Sequence, residues 1–131
     1  MQDRIEQEIA LLRRYYQGLD YRPDGQWALV PSYPLPPGWN KEATPVGFQI
    51  QLSYPGTPPY GIYVPAGLTY NGARANSYTE PANNRPPFEG SWGVFSWQPA
   101  DGEWRPMANI TSGTNLLTWV RGFADRFKEG V

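Results

Sequence analysis

An α+β fold follows from three features of the chain: an amphipathic helical stretch near each end, period-two alternation between them, and proline- and glycine-rich turns that separate the alternating runs. Helices at both ends of an antiparallel sheet predict a layered domain with the helices on one face. The 131 residues correspond to one domain, 1–131, with no internal repeat and no linker.

Residues 3–17 carry Ile5, Ile9 and Leu12 at helical spacing, with Tyr16 one turn further on. Asp3 ahead of Glu6 has the capping-box arrangement, Arg13 and Arg14 suit the C-terminal end of the helix dipole, and Gly18 ends the helix. Four strands are expected to follow, at 26–30, 44–52, 60–64 and 92–97. The second alternates, with Val46, Phe48, Ile50 and Leu52 on one side and Gly47, Gln49 and Gln51 on the other. The proline-dense stretch 31–38 reads as a connection. In the fourth strand Trp92, Val94 and Ser96 share one face, and Gly93, Phe95 and Trp97 the other. Segment 68–89 has no periodicity and is long for a plain connection, which predicts a mobile flap. The final helix, 115–128, places Leu116, Leu117, Val120, Phe123, Ala124 and Phe127 on one face, with Thr114 as its expected cap.

Composition excludes several chemistries. The chain has no histidine and no cysteine, so a Ser-His-Asp triad and an ordinary zinc site are both ruled out. Lysine occurs only at Lys41 and Lys128, and no phosphate-cradling glycine loop is present. No metal or other cofactor is expected. A net charge of −1 with no basic run argues against nucleic acid. No apolar run approaches the ~20 residues of a membrane span, and the charged start lacks a signal-peptide core, so a cytoplasmic protein is expected. Six tryptophans, nine tyrosines and fifteen prolines leave two readings of the aromatic excess: a core with stiff turns, or an exposed aromatic face that binds carbohydrate or peptide. Burial or exposure of Trp92, Trp97 and Trp104 separates them.

Two fragments carry a resemblance. Tyr54-Pro55-Gly56-Thr57-Pro58-Pro59 has the Tyr-Pro-x-x-Pro-Pro spacing, and Asn71 follows in Leu68-Thr69-Tyr70-Asn71. Gly93-Val94-Phe95-Ser96 is followed by Trp104-Arg105-Pro106. With Tyr33-Pro34-Leu35-Pro36-Pro37-Gly38-Trp39, these stretches resemble the prokaryotic ubiquitin-conjugating-enzyme-like proteins. In the conjugating enzymes the first signature lies between the second and third strands, a Tyr-His-Pro-Asn stretch follows it, and a Gly-x-Ile-Cys stretch holds the nucleophile. Ser96 stands at the cysteine position, and the histidine and proline before Asn71 are absent.

The resemblance implies a UBC-like, RWD-like fold: an N-terminal helix, a four-stranded antiparallel meander and a C-terminal helix, in a divergent and shortened form. It implies Ser96 and Asn71 as the reactive pair, the asparagine amide stabilising an oxyanion. Tyr54, Pro55, Pro58, Pro59, Gly93, Trp104 and Pro106 are the structural motif. It also implies a ubiquitin-like protein and an activating-enzyme-like protein as partners, the latter meeting the first helix through Arg4, Arg13 and Arg14. Asn71-Gly72 is equally a good turn dipeptide. A serine hydroxyl needs a base, and no histidine exists to supply one, so negligible transfer is expected. The chain then reads as a non-catalytic binder of such partners, or as a Cys-to-Ser form of an active thioester-forming enzyme.

Overall fold

The computed structural model describes residues 2–51, 53–54, 56, 59–73, 78–82, 86–95, 104–107 and 113–129. Helix α1 (Gln2–Tyr15) is followed by β1 (Asp20–Arg22), a 3₁₀ turn (Asp24–Gln26), β2 (Trp27–Pro34), β3 (Ala43–Gln49), β4 (Tyr60–Pro65), β5 (Tyr78–Thr79), β6 (Trp92–Phe95) and α2 (Leu116–Glu129). The strands form one antiparallel six-stranded sheet in the order β1-β2-β3-β4-β6-β5. The α+β class holds, and the strand count is corrected from four to six. The two added strands, β1 and β5, are edges of three and two residues, too short to show a period.

Helix α1 begins at Gln2, so Asp3 lies in its first turn rather than at the cap. Gly18, at φ +81, supplies the left-handed residue that ends the helical segment. The cap of α2 is Asn115, not Thr114. The Thr118 N–H donates to Asn115 Oδ1 at 2.9 Å, and the Asn115 N–H donates to Thr118 Oγ1 at 2.8 Å. This reciprocal pair satisfies two amides at a helix start.

Strand β2 runs on through Pro34 instead of ending near Val30. Its register shifts between Val30 and Tyr33, and that irregularity spares Pro31 from the ladder hydrogen bond it cannot make. Tyr33 then anchors the outer half: its hydroxyl donates to the Val120 carbonyl at 2.9 Å, and its ring meets Phe123 and Phe127.

Both helices pack on one face of the sheet. Ile5, Ile9 and Leu12 of α1 and Leu116, Val120, Phe123 and Phe127 of α2 share a core with Ala28, Val30, Val46, Phe48, Ile62, Val64 and Phe95. Trp39 closes one end of this core, its indole N–H donating to the Phe127 carbonyl at 2.9 Å. The opposite face is also covered: Trp27, Tyr63, Trp92 and Val94 pack with Phe88 and Ala82. The side chains of β6 thus divide as alternation predicts, with Phe95 toward the helices and Trp92 and Val94 away from them.

The described parts of 68–89 are packed on both faces of the sheet, unlike the mobile flap expected there. Leu68, Tyr78 and Phe88 are buried, and Tyr78 pairs with Phe95 across β5 and β6. Residues 74–77 and 83–85 of that segment lie outside the described ones. Among the described residues no helix is long and apolar enough to cross a membrane.

Candidate functional site

Tyr54 is the best-anchored of the motif residues. It lies in the connection between β3 and β4, is 1% exposed, and its hydroxyl donates to Glu8 Oε1 at 2.6 Å. The Leu116 N–H at the start of α2 donates to the same oxygen at 2.6 Å, and Arg4 Nε donates to Glu8 Oε2 at 2.8 Å. A carboxylate here accepts from an otherwise orphaned helix amide and faces the positive end of the α2 dipole. Burial first, then the bond to Glu8 and its charge, pushes the Tyr54 phenol far above its ordinary range. Tyr54 is therefore a fixed neutral donor and not an acid or base for chemistry near neutrality.

The second fragment docks on the first. The Tyr54 and Trp104 rings lie 5.9 Å apart. The Arg105 N–H donates to Thr114 Oγ1 at 2.6 Å, the Thr114 N–H returns a bond to the Arg105 carbonyl at 3.0 Å, and Pro106 bridges Gly113. The other side of Glu8 reaches the same segment, because Arg4 Nη1 donates to the Met107 carbonyl at 2.7 Å. Tyr54, Trp104 and Pro106 are thus held in one place by α1 and the start of α2. Pro59 is buried, whereas Pro55 and Pro58 lie outside the described residues.

Gly93 is explained by close approach. A Cβ on it would run into the Tyr78 ring, so only glycine lets that ring lie over β6. The Tyr78 hydroxyl donates to Glu80 Oε2 at 2.8 Å, and that oxygen also accepts from the Gly67 N–H at 2.8 Å, which ties the end of β4 to the β5 edge.

Asn71 sits at the tip of a two-residue turn. Tyr70 and Ala73 exchange both N–H···O bonds at 2.9 Å, with Asn71 at φ 49 and Gly72 at φ 82. Two consecutive left-handed residues make a type I′ turn, for which Asn-Gly is the preferred pair. Its side chain is exposed, and its N–H donates to the Gly38 carbonyl at 2.7 Å. Asn40 clasps the same turn by donating to the Gly67 carbonyl at 2.9 Å and accepting from the Thr69 N–H at 3.0 Å. A cleft of about 370 Å³ beside this clasp is lined by Leu35, Pro36, Pro37, Trp39, Lys41 and Glu42, among others. Ser96, the expected partner of Asn71, lies outside the described residues, as does Trp97.

Of the three arginines expected on the partner surface, Arg4 is committed internally, to Glu8 and the Met107 carbonyl, and its side chain is only 15% exposed. Arg13 and Arg14 are exposed. Sequence reasoning passed over Glu8, although a signal was there: it lies on the apolar stripe with Ile5, Ile9 and Leu12, and an acid in that stripe demands partners. It also passed over a groove of about 240 Å³ between α1 and the start of α2, lined by Leu11, Tyr15, Asn115, Leu117 and Arg121, among others. Periodicity in one helix cannot reveal a space between two. Among the described residues no group of three or more acidic side chains gathers where a metal ion could bind.

Comparison with known proteins gives no family model that matches the chain, and neither a curated protein nor a solved structure matches it significantly.

Proposed function

We propose that this chain is a UBC-like scaffold of a bacterial ubiquitin-like modification system, one that binds a ubiquitin-like protein or an activating-enzyme-like partner without transferring the modifier. The observation that carries this reading is the packing of Trp104 on Tyr54 at 5.9 Å. Two signature pieces, matched separately and fifty residues apart in the chain, support one another physically, as parts of a single device should. The placement of the turns supports the reading in part: the Tyr54 turn joins two adjacent strands, though the third and fourth of this chain rather than the second and third, and the Asn71 turn follows the latter.

The chemistry limits what the scaffold does. Ser96 has no histidine to take its proton, and an oxyester reacts with amines less readily than a thioester does. A thiol titrates near neutrality and needs less help. Ser96→Cys, given a cognate ubiquitin-like protein, its activating enzyme and ATP, is expected to yield an adduct that reducing agent removes. A gel showing no thiol-sensitive shift ends the assignment of position 96. In the charged Ser96→Cys protein, Asn71→Gly keeps the left-handed turn while removing the amide, and is expected to slow discharge to lysine by about 10²-fold. Undiminished discharge would reduce Asn71 to a turn residue. The contact with an activating enzyme falls to Arg13 and Arg14, and reversing both charges is expected to weaken it.

Among the described residues no tryptophan supports the aromatic-face alternative, and Trp97 lies outside them. Trp27, Trp39, Trp92 and Trp119 are buried, and Trp104 is half-buried against Tyr54.

A further inference from the structure

One face of α1 is left to solvent, and its charges stand in a self-matching order. Ile5, Glu8, Ile9 and Leu12 are buried, whereas Glu6, Ala10 and Arg14 are exposed. The exposed three follow one another at four-residue spacing and form a single ridge along the helix. Among the described residues neither Glu6 nor Arg14 has a hydrogen-bond or ion-pair partner. Burial and then the charge of Glu6 push the Tyr21 phenol up, so that neighbour stays neutral. Arg13 differs from Arg14, since its Nε donates to the Leu19 carbonyl at 3.4 Å. Ala10, midway between the two charges, is the smallest side chain of the ridge and lets another backbone approach closely.

The helix dipole favours an acid early and a base late on any face. It does not account for both lying on one exposed ridge, at equal distances from an alanine. Equal spacing has a consequence in symmetry. A second α1 laid antiparallel across the first, with the two-fold axis at Ala10, brings Glu6 of each copy opposite Arg14 of the other. Ridges of four-residue spacing run alongside one another when two helices cross at about −50°. A parallel arrangement would oppose like charges. An unrelated partner would need an acid, a small residue and a base at this same spacing, whereas a second copy supplies them by symmetry.

We infer that α1 is a self-association surface through which two copies of the chain pair antiparallel, with two Glu6–Arg14 contacts around Ala10. The pairing is weak and salt-sensitive, because exposed ion pairs each contribute little and are screened. It covers Arg14, so a paired chain does not offer that arginine to an activating-enzyme-like protein. The inference itself depends neither on that contact nor on position 96.

The test is sedimentation equilibrium of the full-length chain alone, at low and at high ionic strength. The native chain is expected to form a concentration-dependent dimer that salt dissociates. Glu6→Arg and Arg14→Glu each turn both attractions into repulsions, and each is expected to weaken dimerisation by about tenfold or more. Mixing these two variants restores opposite charges across the pair, as does combining both substitutions in one chain. Both samples are expected to recover the dimer, with circular dichroism to verify that every variant keeps the native spectrum. A native chain that stays monomeric at low salt and high concentration overturns the inference. So does a dimer that neither reversal weakens, or a loss that the mixture and the double variant leave unrepaired.

Discussion

Glu8 shows how one side chain can join three parts of a chain. Its two oxygens accept from Arg4 on its own helix, from Tyr54 in the β3–β4 connection and from the first amide of α2. Truncation would strand all three donors in the interior, and leaving a buried charge unpaired costs about 3–5 kcal/mol. Glu8→Ala is therefore expected to lower unfolding free energy by that amount in urea titrations, with Tyr54→Phe costing about 1–2 kcal/mol because the Leu116 N–H still occupies the shared oxygen. A loss under about 1 kcal/mol for Glu8→Ala would show that the network contributes little. Tyr33 adds a pH dependence. Burial, then the neighbouring Tyr16, pushes its phenol from 10.0 up to about 12. The folded protein keeps that proton where the unfolded chain has lost it, so the contribution is complete below pH 10.0 and disappears as pH rises toward about 12. Stability measured across this interval is expected to fall, and to fall less steeply in Tyr33→Phe. In the sequence Glu8 showed only as an acid among apolar neighbours and Tyr33 only as part of a proline-rich stretch, because the partners that define them are distant in the chain.

At the scale of elements, β5 exists because β6 carries a glycine. Tyr78 lies over Gly93 and against Phe95, with ring centroids 4.7 Å apart, and this packing adds to the hold of Glu80 on Tyr78 and Gly67. Gly93→Ala forces the Tyr78 ring off β6, and overpacking of this kind typically costs about 1–3 kcal/mol. The expected signature is faster amide exchange at Tyr78 and Thr79 together with lower stability. Tyr78→Ala in the same chain should relieve part of the loss, a coupling that a double-mutant cycle measures. Additive effects would contradict the contact. Gly93 stood out in the sequence as part of a motif, but what it accommodates did not, since Tyr78 belongs to a stretch without periodicity. The helices were more legible, because an amphipathic stripe records its burial locally. Their ends were less so: Asn115 and Thr114 are both acceptable caps, and only the reciprocal bonds with Thr118 choose between them.

For the molecule as a whole, most of the described aromatic side chains pack into two cores on opposite faces of one sheet. With Trp27, Trp39, Trp92 and Trp119 buried, native fluorescence is expected to be blue-shifted, weakly quenched by acrylamide, and red-shifted on unfolding. Strong quenching in the native state would restore the exposed aromatic face. The sequence by itself determined the α+β class, both helices and the interior strands, because alternation and helical spacing register burial residue by residue. It also marked the turn at Asn71-Gly72, a matter of local backbone sterics. Tertiary structure decided what depends on pieces distant in the chain meeting: the edge strands, the continuation of β2 past Pro31, the layer over the second sheet face, the Glu8 network and the groove between the helices. Burial of a side chain is written in its own neighbours, whereas a buried charge, a clasp or a groove takes its character from residues far along the chain, which only the completed packing brings together.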